Sequence, residues 1–160
     1  MANQILIDSL RLNISILRDF IAAIPDGELR RRRHADYWTI HEHLNHLVIT
    51  QLMLCRRIEL FIKEDRPVIV PFVPDDKPKD ESSASKSVRE LLDAFAKWRE
   101  KQLQLLETCP AGVWARTAVH PEYHSYSFEI LVRHILLHDS YHMNRIEELW
   151  LLKDEFLKNW

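Results

Sequence analysis

Glycine is nearly absent from this sequence, with two residues among 160. A β-rich fold needs many tight turns, and glycine is the residue that most often permits them. The seven prolines, among them Pro25, Pro67 and Pro110, fall between long windows that contain no helix breaker. These two features argue against a β-rich fold and favour long helices.

Cysteine, net charge and long apolar runs are also scarce. The two cysteines, Cys55 and Cys109, form no C-x-x-C motif, so reduced thiols in the cytoplasm are expected. A net charge of −2 gives no electrostatic basis for binding nucleic acid or an acidic membrane. No apolar run approaches the roughly 20 residues that span a bilayer, and the first ten residues lack the basic region of a signal peptide. The sequence predicts a cytoplasmic protein that binds neither nucleic acid nor a membrane.

Four windows show apolar residues at helical spacing: residues 4–24, 39–63, 87–108 and 127–152. The second window opens with Thr39 and Glu42 in the S/T-x-x-E pattern of a capping box. A proline-rich connection over residues 64–85 follows it, and the apolar piece at 68–73 is expected to pack as a strap. The sequence therefore predicts an all-α fold, one four-helix-bundle domain over residues 1–160. The long connection allows the second and third helices to be parallel rather than antiparallel.

Three histidines, His134, His138 and His142, follow one another at intervals of four in the last window. Residues four apart share a helix face, so an adjacent pair can reach one metal ion. The outer two lie about 12 Å apart along the axis, too far to share that ion easily. Spacing alone allows either adjacent pair. His138 and His142 are better centred on the apolar stripe, and His134 is interpreted as a flanking or surface residue.

The second window supplies three more histidines within HEHLNHL. His41 lies in the first turn and is expected to face solvent, whereas His43 or His46 can reach across to the fourth helix. Asn45 stands where the second histidine of an H-E-x-x-H zinc-protease motif would be, which excludes that class. Outside these windows, His120 and His124 are interpreted as loop residues at the mouth of the site rather than ligands. Three tyrosines are candidates for a proton donor or for simple packing: Tyr123, Tyr126 and Tyr141.

Two motifs resemble the signatures of the DinB/YfiT-like bundle proteins. Trp38-Thr39, then Glu42 and His46-Leu47, is similar to their W-[ST]-x-x-E-x-x-x-H-L motif, and the His138 to His142 segment is similar to their C-terminal H-x-x-x-H. The resemblance implies an up-down-down-up bundle that holds a divalent metal on three histidines. Carried over by position, these ligands are His46, His138 and His142. Arg145 stands where the family usually has glutamine.

Three neutral imidazoles leave an open coordination position, which is typical of catalytic rather than structural metal sites. Zinc or nickel is expected, with iron or manganese as alternatives. The family includes S-transferases that use bacillithiol, mycothiol or glutathione. The resemblance therefore implies a metal-dependent enzyme that activates a low-molecular-weight thiol and acts on a small-molecule substrate. A metal-dependent hydrolase and a non-catalytic metal-binding or small-ligand-binding bundle are the alternatives.

Other side chains have two interpretations each. Glu42 is a helix-capping residue or a catalytic one, and Asp139 orients a ligand histidine or is a solvated helix residue. The sequence contains one run of positive charge, which consists of Arg30, Arg31, Arg32 and Arg33. This run predicts an anion site for a thiol cofactor or acidic substrate, or else a solvated connector between the first two helices. Nothing extends the run into a nucleic-acid surface. Apolar helix faces with Trp98, Trp150 and Trp160 indicate a homodimer.

Overall fold

The computed structural model describes residues 2–71 and 85–159. Its four long helices are α1 (Ala2–Ala22), α2 (Ile40–Lys63), α3 (Val88–Thr108) and α4 (Phe128–Leu151). A one-turn helix at Asp26–Leu29 lies between α1 and α2, and short 3-10 helices cover Ala111–Ala115 and Asp154–Asn159. The four-helix fold predicted from the sequence is confirmed. No helix in the described part of the chain is long and apolar enough to cross a membrane.

Contacts at the helix ends give the directions of the antiparallel pairs. Arg18, near the end of α1, forms an ion pair of 2.8 Å with Asp93, near the start of α3. Phe61, near the end of α2, packs against Phe128 at the start of α4, with ring centroids 5.3 Å apart. Helix α1 is therefore antiparallel to α3, and α2 is antiparallel to α4.

The other two neighbouring pairs are parallel. Glu59 and Lys101, both late in their helices, form an ion pair of 3.1 Å between α2 and α3. Phe20 and Trp150 lie late in α1 and α4 and pack with ring centroids 6.4 Å apart. The bundle is thus up-down-down-up, as predicted. Helices α3 and α4 each pack against both α1 and α2, so α1 and α2 lie on one diagonal of the bundle.

Local sequence signals explain where α2 begins. The backbone N–H of Glu42 donates to the Thr39 hydroxyl at 3.1 Å, and the N–H of Thr39 donates to the Glu42 carboxylate at 2.7 Å. This reciprocal pair is the predicted capping box. A second capping box joins Ser87 and Glu90 at the start of α3. Each box satisfies backbone donors that the first turn of a helix leaves unpaired.

The segments between helices cover one end of the bundle. The N–H of Ile69, which is buried, donates to the Val119 carbonyl at 2.9 Å, and the Val119 N–H donates to the Pro67 carbonyl at 2.8 Å. The described part of the predicted strap therefore packs against the loop before α4, while residues 72 and 73 lie outside the described residues. That loop, expected to be irregular, contains a small ribbon of β1 (Thr117–Ala118) and β2 (Tyr126–Ser127). Strands of two residues are too short to leave an alternating pattern in the sequence.

The bundle interior consists of two apolar clusters. One cluster surrounds Phe61 and Phe128, and the other surrounds Leu47 and Phe95. Buried polar side chains from all four helices separate the clusters: Asn13, Gln51, Arg99, Gln102 and Asp139. The candidate site lies beside this polar layer, between α2 and α4.

Candidate metal centre

A cavity of about 660 Å³ opens between α2 and α4. Because the two helices are antiparallel neighbours, one stripe from each, spaced by three or four residues, faces the same space. From α2 the lining side chains are His43, His46, Thr50, Met53 and Arg57. From α4 they are His134, His138, Tyr141, His142 and Arg145.

Three histidines converge at one level of this cavity. One ring nitrogen from each of His46, His138 and His142 lies within 4.8 Å of the other two. The Nε2 atoms of His46 and His138 are 3.2 Å apart. Two nitrogens bound to one tetrahedral ion at 2.1 Å would be separated by about 3.4 Å. The spacing of the donors therefore suits a single ion, and these are the three histidines that the family resemblance gave as ligands.

Burial keeps these imidazoles uncharged at neutral pH. It lowers the pKa of His46 to about 4, with the nearby His138 adding to the effect. Burial likewise lowers the pKa of His138 to about 4, helped by the Arg99 charge, and that of His142 to about 2, helped by His138 and His46. Because a metal binds the neutral ring, the three lone pairs are available without loss of a proton.

His43 holds the ring of His142 in place. Burial lowers the pKa of His43 to about 3, and its Nδ1 lies 2.9 Å from the Nδ1 of His142. That hydrogen bond occupies Nδ1 of His142 and leaves its Nε2 to face an ion. Metal-bound histidines usually have such a partner for the second nitrogen. His43 therefore orients the ring of His142. The sequence had suggested Asp139 for the role of orienting a ligand histidine.

Asp139 points away from the histidines, toward α1 and α3. It is 1% exposed, and it accepts hydrogen bonds from Arg99 Nη2 at 2.7 Å and Asn13 Nδ2 at 3.2 Å. The Nδ1 of His138 has no hydrogen-bond partner among the described residues. The carboxylate thus joins helices, and the interpretation of Asp139 as a solvated residue is wrong because α1 and α3 cover it.

Glu42 is held in the capping box, away from the cavity lining. Its carboxylate also accepts a hydrogen bond of 2.5 Å from Arg32 Nη2. Burial alone would raise the pKa of Glu42, but the hydrogen bonds from Thr39 and Arg32 outweigh it and hold the pKa below its usual range. The catalytic interpretation of Glu42 gains no geometric support, and the capping interpretation accounts for its contacts.

His41 does not face solvent, contrary to the sequence prediction. It is 3% exposed, and its Nε2 lies 2.8 Å from the Lys86 carbonyl and 2.9 Å from Arg30 Nη2. The segment before α3 closes over the first turn of α2 because these two helices are parallel neighbours. A contact with a residue this distant in the chain leaves no trace in local helical spacing.

The four arginines each have partners within the chain. Arg30 donates to the Lys86 carbonyl at 2.9 Å, and Arg31 forms an ion pair of 3.1 Å with Glu28. Arg32 pairs with Glu42, and Arg33 donates to two carbonyls at the end of α4. None of the four is among the described residues that line the cavity. Their contacts fit the connector interpretation, and the anion-binding role stays a prediction.

The cavity beyond the three histidines has an aromatic wall. His134 contacts the rings of Tyr123 and Tyr126, with centroids 5.4 and 5.5 Å away, and His120 contacts both tyrosines. Burial lowers the pKa of His134, with Arg133 and His120 adding to the effect. His134 lies outside the three-His group, while His124 is exposed and does not line the cavity.

Trp38 covers the opposite end of the cavity. Its ring lies 6.1 Å from that of His142 at an angle of 11°, and 5.1 Å from that of His43. Trp38 precedes the helix cap and His43 follows it by four residues, which is the geometry of a hydrophobic staple. The capping sequence thus also fixes a wall of the site. The sequence motif contained Trp38, but nothing in it indicated contact with the histidines.

Comparisons with known proteins agree with this geometry. A sequence model of the DinB superfamily matches residues 9–146, which include the whole of α2 and most of α4. The chain belongs to the DinB superfamily. A search of the curated proteins found no match for it.

A solved structure shows the same fold as this DinB-superfamily protein. YfiT from Bacillus subtilis, described as a probable metal-dependent hydrolase with an unusual four-helix bundle topology, superposes with a TM-score of 0.79. The two chains are 21% identical, and the match covers 92% of this chain and 85% of the other. The likeness establishes the bundle topology. The three-His group of this chain has donors whose type and spacing fit a single divalent ion.

Proposed function

We propose that this DinB-superfamily protein is a metal-dependent S-transferase, which joins a low-molecular-weight thiol to a small electrophile. The observation that carries the proposal is the set of three neutral imidazoles that converge on a cavity of about 660 Å³. A divalent ion in such a site acts as a Lewis acid and lowers the pKa of a thiol or a water molecule held against it. The three histidines would be His46, His138 and His142.

The reaction joins two molecules and releases one. A bond forms between the thiol sulfur and the electrophilic carbon, the bond from that carbon to the leaving group breaks, and the thiol proton departs with the leaving group. A cavity of about 660 Å³ is near the middle of the range for small-molecule sites, so its size is compatible with small substrates. No aspartate or glutamate among the described residues joins the three-His group.

The chain contributes binding and shielding around the thiol. Burial keeps the histidines neutral, and His43 holds His142 in one orientation through the contact of 2.9 Å. Trp38 closes one end of the cavity, and Tyr141, whose ring centroid lies 5.2 Å from that of His142, flanks the other side of that ring. These rings form apolar walls beside His142. A low-molecular-weight thiol also implies the reducing cytoplasm as the compartment.

A metal-dependent hydrolase is the second candidate. It is supported by the likeness to YfiT, which is itself described as a probable metal-dependent hydrolase. A bundle that binds metal or a small ligand without turnover is the third. The three candidates share the metal site and differ in what they do to a thiol or an ester.

The metal site is tested first, on protein purified without a His-tag. Elemental analysis should find about one divalent ion per chain, and His46→Ala, His138→Ala and His142→Ala should each weaken metal binding at least tenfold in a chelator competition. His134→Ala is the matched control, because it lies one turn from His138 on the same helix and outside the three-His group. Protein without stoichiometric metal, or a His134→Ala variant as weak as the others, contradicts the site.

Activity is tested next, with an electrophile and each of glutathione, bacillithiol and mycothiol. We expect a rate that needs both the metal and the thiol, and that disappears in His138→Ala. Ester hydrolysis that needs the metal but no thiol supports the hydrolase instead. Metal binding without either reaction supports the non-catalytic bundle.

A further inference from the structure

Arg57 lines the same cavity as the three histidines, at its far end along α2. The lining stripe runs from His46 through Thr50 and Met53 to Arg57, so about 16 Å of helix rise separates His46 from Arg57. Long side chains on a helix lean toward its N-terminus, which directs the Arg57 side chain back toward the histidines. The guanidinium therefore faces the same cavity as the three-His group.

Arg57 has no carboxylate partner among the described residues. Its Nη2 donates to the Val70 carbonyl at 2.8 Å, and no ion pair involves it. A guanidinium has five N–H donors, so most of its hydrogen-bonding capacity is not used by that contact. The other arginine of the cavity, Arg145, differs in this respect because it lies 3.2 Å from Glu148.

Arg57 is half-buried, which makes a lone positive charge costly. Burial lowers its pKa, and the nearby Tyr126 and Glu122 oppose that change without forming an ion pair with it. Charged groups that are removed from water are normally paired. An anion that enters the cavity would supply the partner that the described residues do not.

The surroundings of Arg57 are aromatic. His120, Tyr123, Tyr126 and His134 form the wall beside it, and burial lowers the pKa of His134. Glu122 is the acidic lining residue at this end. An aromatic wall with one guanidinium suits a flexible organic ligand that ends in a carboxylate, which arginine binds through two parallel hydrogen bonds.

We propose that Arg57 binds a terminal carboxylate of the thiol substrate, which makes the substrate a peptide-sized thiol with a free carboxylate. This inference rests on the proposed function. Because Arg57 and the three histidines line one cavity, a substrate whose carboxylate lies several bonds from its sulfur can reach both. Of the three thiols considered above, glutathione and bacillithiol carry free carboxylates and mycothiol carries none. We therefore expect the protein to bind glutathione and bacillithiol more tightly than mycothiol.

The test measures binding rather than turnover, by calorimetry with S-methylglutathione and with its diethyl ester. The methyl group blocks reaction at sulfur, and the ester removes both carboxylates. On metal-free and on zinc-loaded protein, we expect the acid to bind at least tenfold more tightly than the ester. Arg57→Gln should weaken binding of the acid about tenfold and leave the ester unchanged, so that the ratio falls to about one. Arg57→Lys should keep part of the ratio, because it retains the charge but not the paired hydrogen bonds.

Arg56→Gln is the matched control, since Arg56 is the adjacent residue of α2, is exposed and does not line the cavity. It should leave the ratio at its original value. An unchanged ratio in Arg57→Gln, an equal loss for acid and ester, or no binding of either ligand to the original protein overturns the assignment. Failure of the proposed function has a different signature: thiol turnover is absent while the ratio and its dependence on Arg57 persist.

Discussion

At the scale of single residues, the contact between His43 and His142 decides how the candidate metal centre is held. Their Nδ1 atoms lie 2.9 Å apart in a buried environment, so one ring carries a proton on Nδ1 and the other accepts it. With Nδ1 engaged, His142 has one nitrogen left for an ion. A histidine in this position replaces the carboxylate or carbonyl that more often orients a metal-bound imidazole.

Replacing His43 by phenylalanine tests this role. The phenyl ring keeps the packing against Trp38 but cannot hydrogen-bond to His142, so metal affinity should fall about 10- to 100-fold while the stoichiometry stays at one ion. Competition with a zinc chelator of known affinity measures the change. His142→Phe provides the comparison, because it removes a ligand and should fall further. An affinity unchanged in His43→Phe would show that the contact does not orient the ring.

Sequence reasoning succeeded for residues whose role is set within one helix. Four-residue spacing limited a shared ion to an adjacent pair, and the apolar stripe favoured His138 and His142 over His134. The structure brings these two together with His46. That they bind an ion stays a prediction. The same reasoning failed for His41, which is covered by Arg30 and the backbone at Lys86. Spacing shows which residues share a face, but it does not show what another segment places over that face.

At the scale of helices, the end of α4 depends on an arginine from the connector. The last carbonyls of a helix have no partner within it. Arg33 donates to the carbonyls of Leu149 and Leu152, each at 2.6 Å, and its side chain is 6% exposed. A cation there also interacts favourably with the negative end of the helix dipole. The arginine run thus contains one residue with a clear structural function.

Arg33→Ala should lower the free energy of unfolding by about 1.5–3 kcal/mol, because it removes charged hydrogen bonds to two part-buried carbonyls and an ion pair with Asp154. Arg31→Ala is the matched control in the same run, since Arg31 is exposed and pairs with Glu28 within one helical turn. It should change stability by no more than about 0.5 kcal/mol. Urea denaturation measures both. Equal effects of the two variants would argue against the capping role of Arg33.

Helix boundaries were predictable from the sequence, whereas helix neighbours were only partly so. Thr39 and Ser87 begin helices through hydrogen bonds within four residues, which a local pattern records. The order around the bundle depends on which apolar stripes meet, and every stripe in this chain is suitable for several partners. The connection length allowed the parallel pair, and the family resemblance supplied the rest. The predicted homodimer stays a prediction: Trp160 lies outside the described residues, and Trp150 packs against Phe20.

At the scale of the whole molecule, a polar layer crosses the bundle between its two apolar clusters. Arg99 is fully buried and forms an ion pair of 2.7 Å with Asp139. Gln102 donates to the Gln51 side chain at 2.7 Å, and Asn13 donates to Asp139 at 3.2 Å. Every helix therefore contributes to this layer. Arg99 was not foreseen, although its position between Phe95 and Gln102 on the buried side of α3 is visible in the spacing.

Mutations can distinguish the effect of removing one charge of the Arg99–Asp139 pair from the effect of removing both. Arg99→Met leaves Asp139 buried without its counter-ion, so the metal-free protein should lose about 3–5 kcal/mol of unfolding free energy. Arg99→Met combined with Asp139→Leu removes both charges and should recover most of that loss, because a buried ion pair contributes little beyond an apolar pair of similar size. Arg89→Met, on the exposed face of the same helix, should be nearly neutral. Urea denaturation with a chelator present measures the three variants. If the double variant is as unstable as Arg99→Met alone, the unpaired charge of Asp139 is not the cause of the loss, and the prediction is wrong.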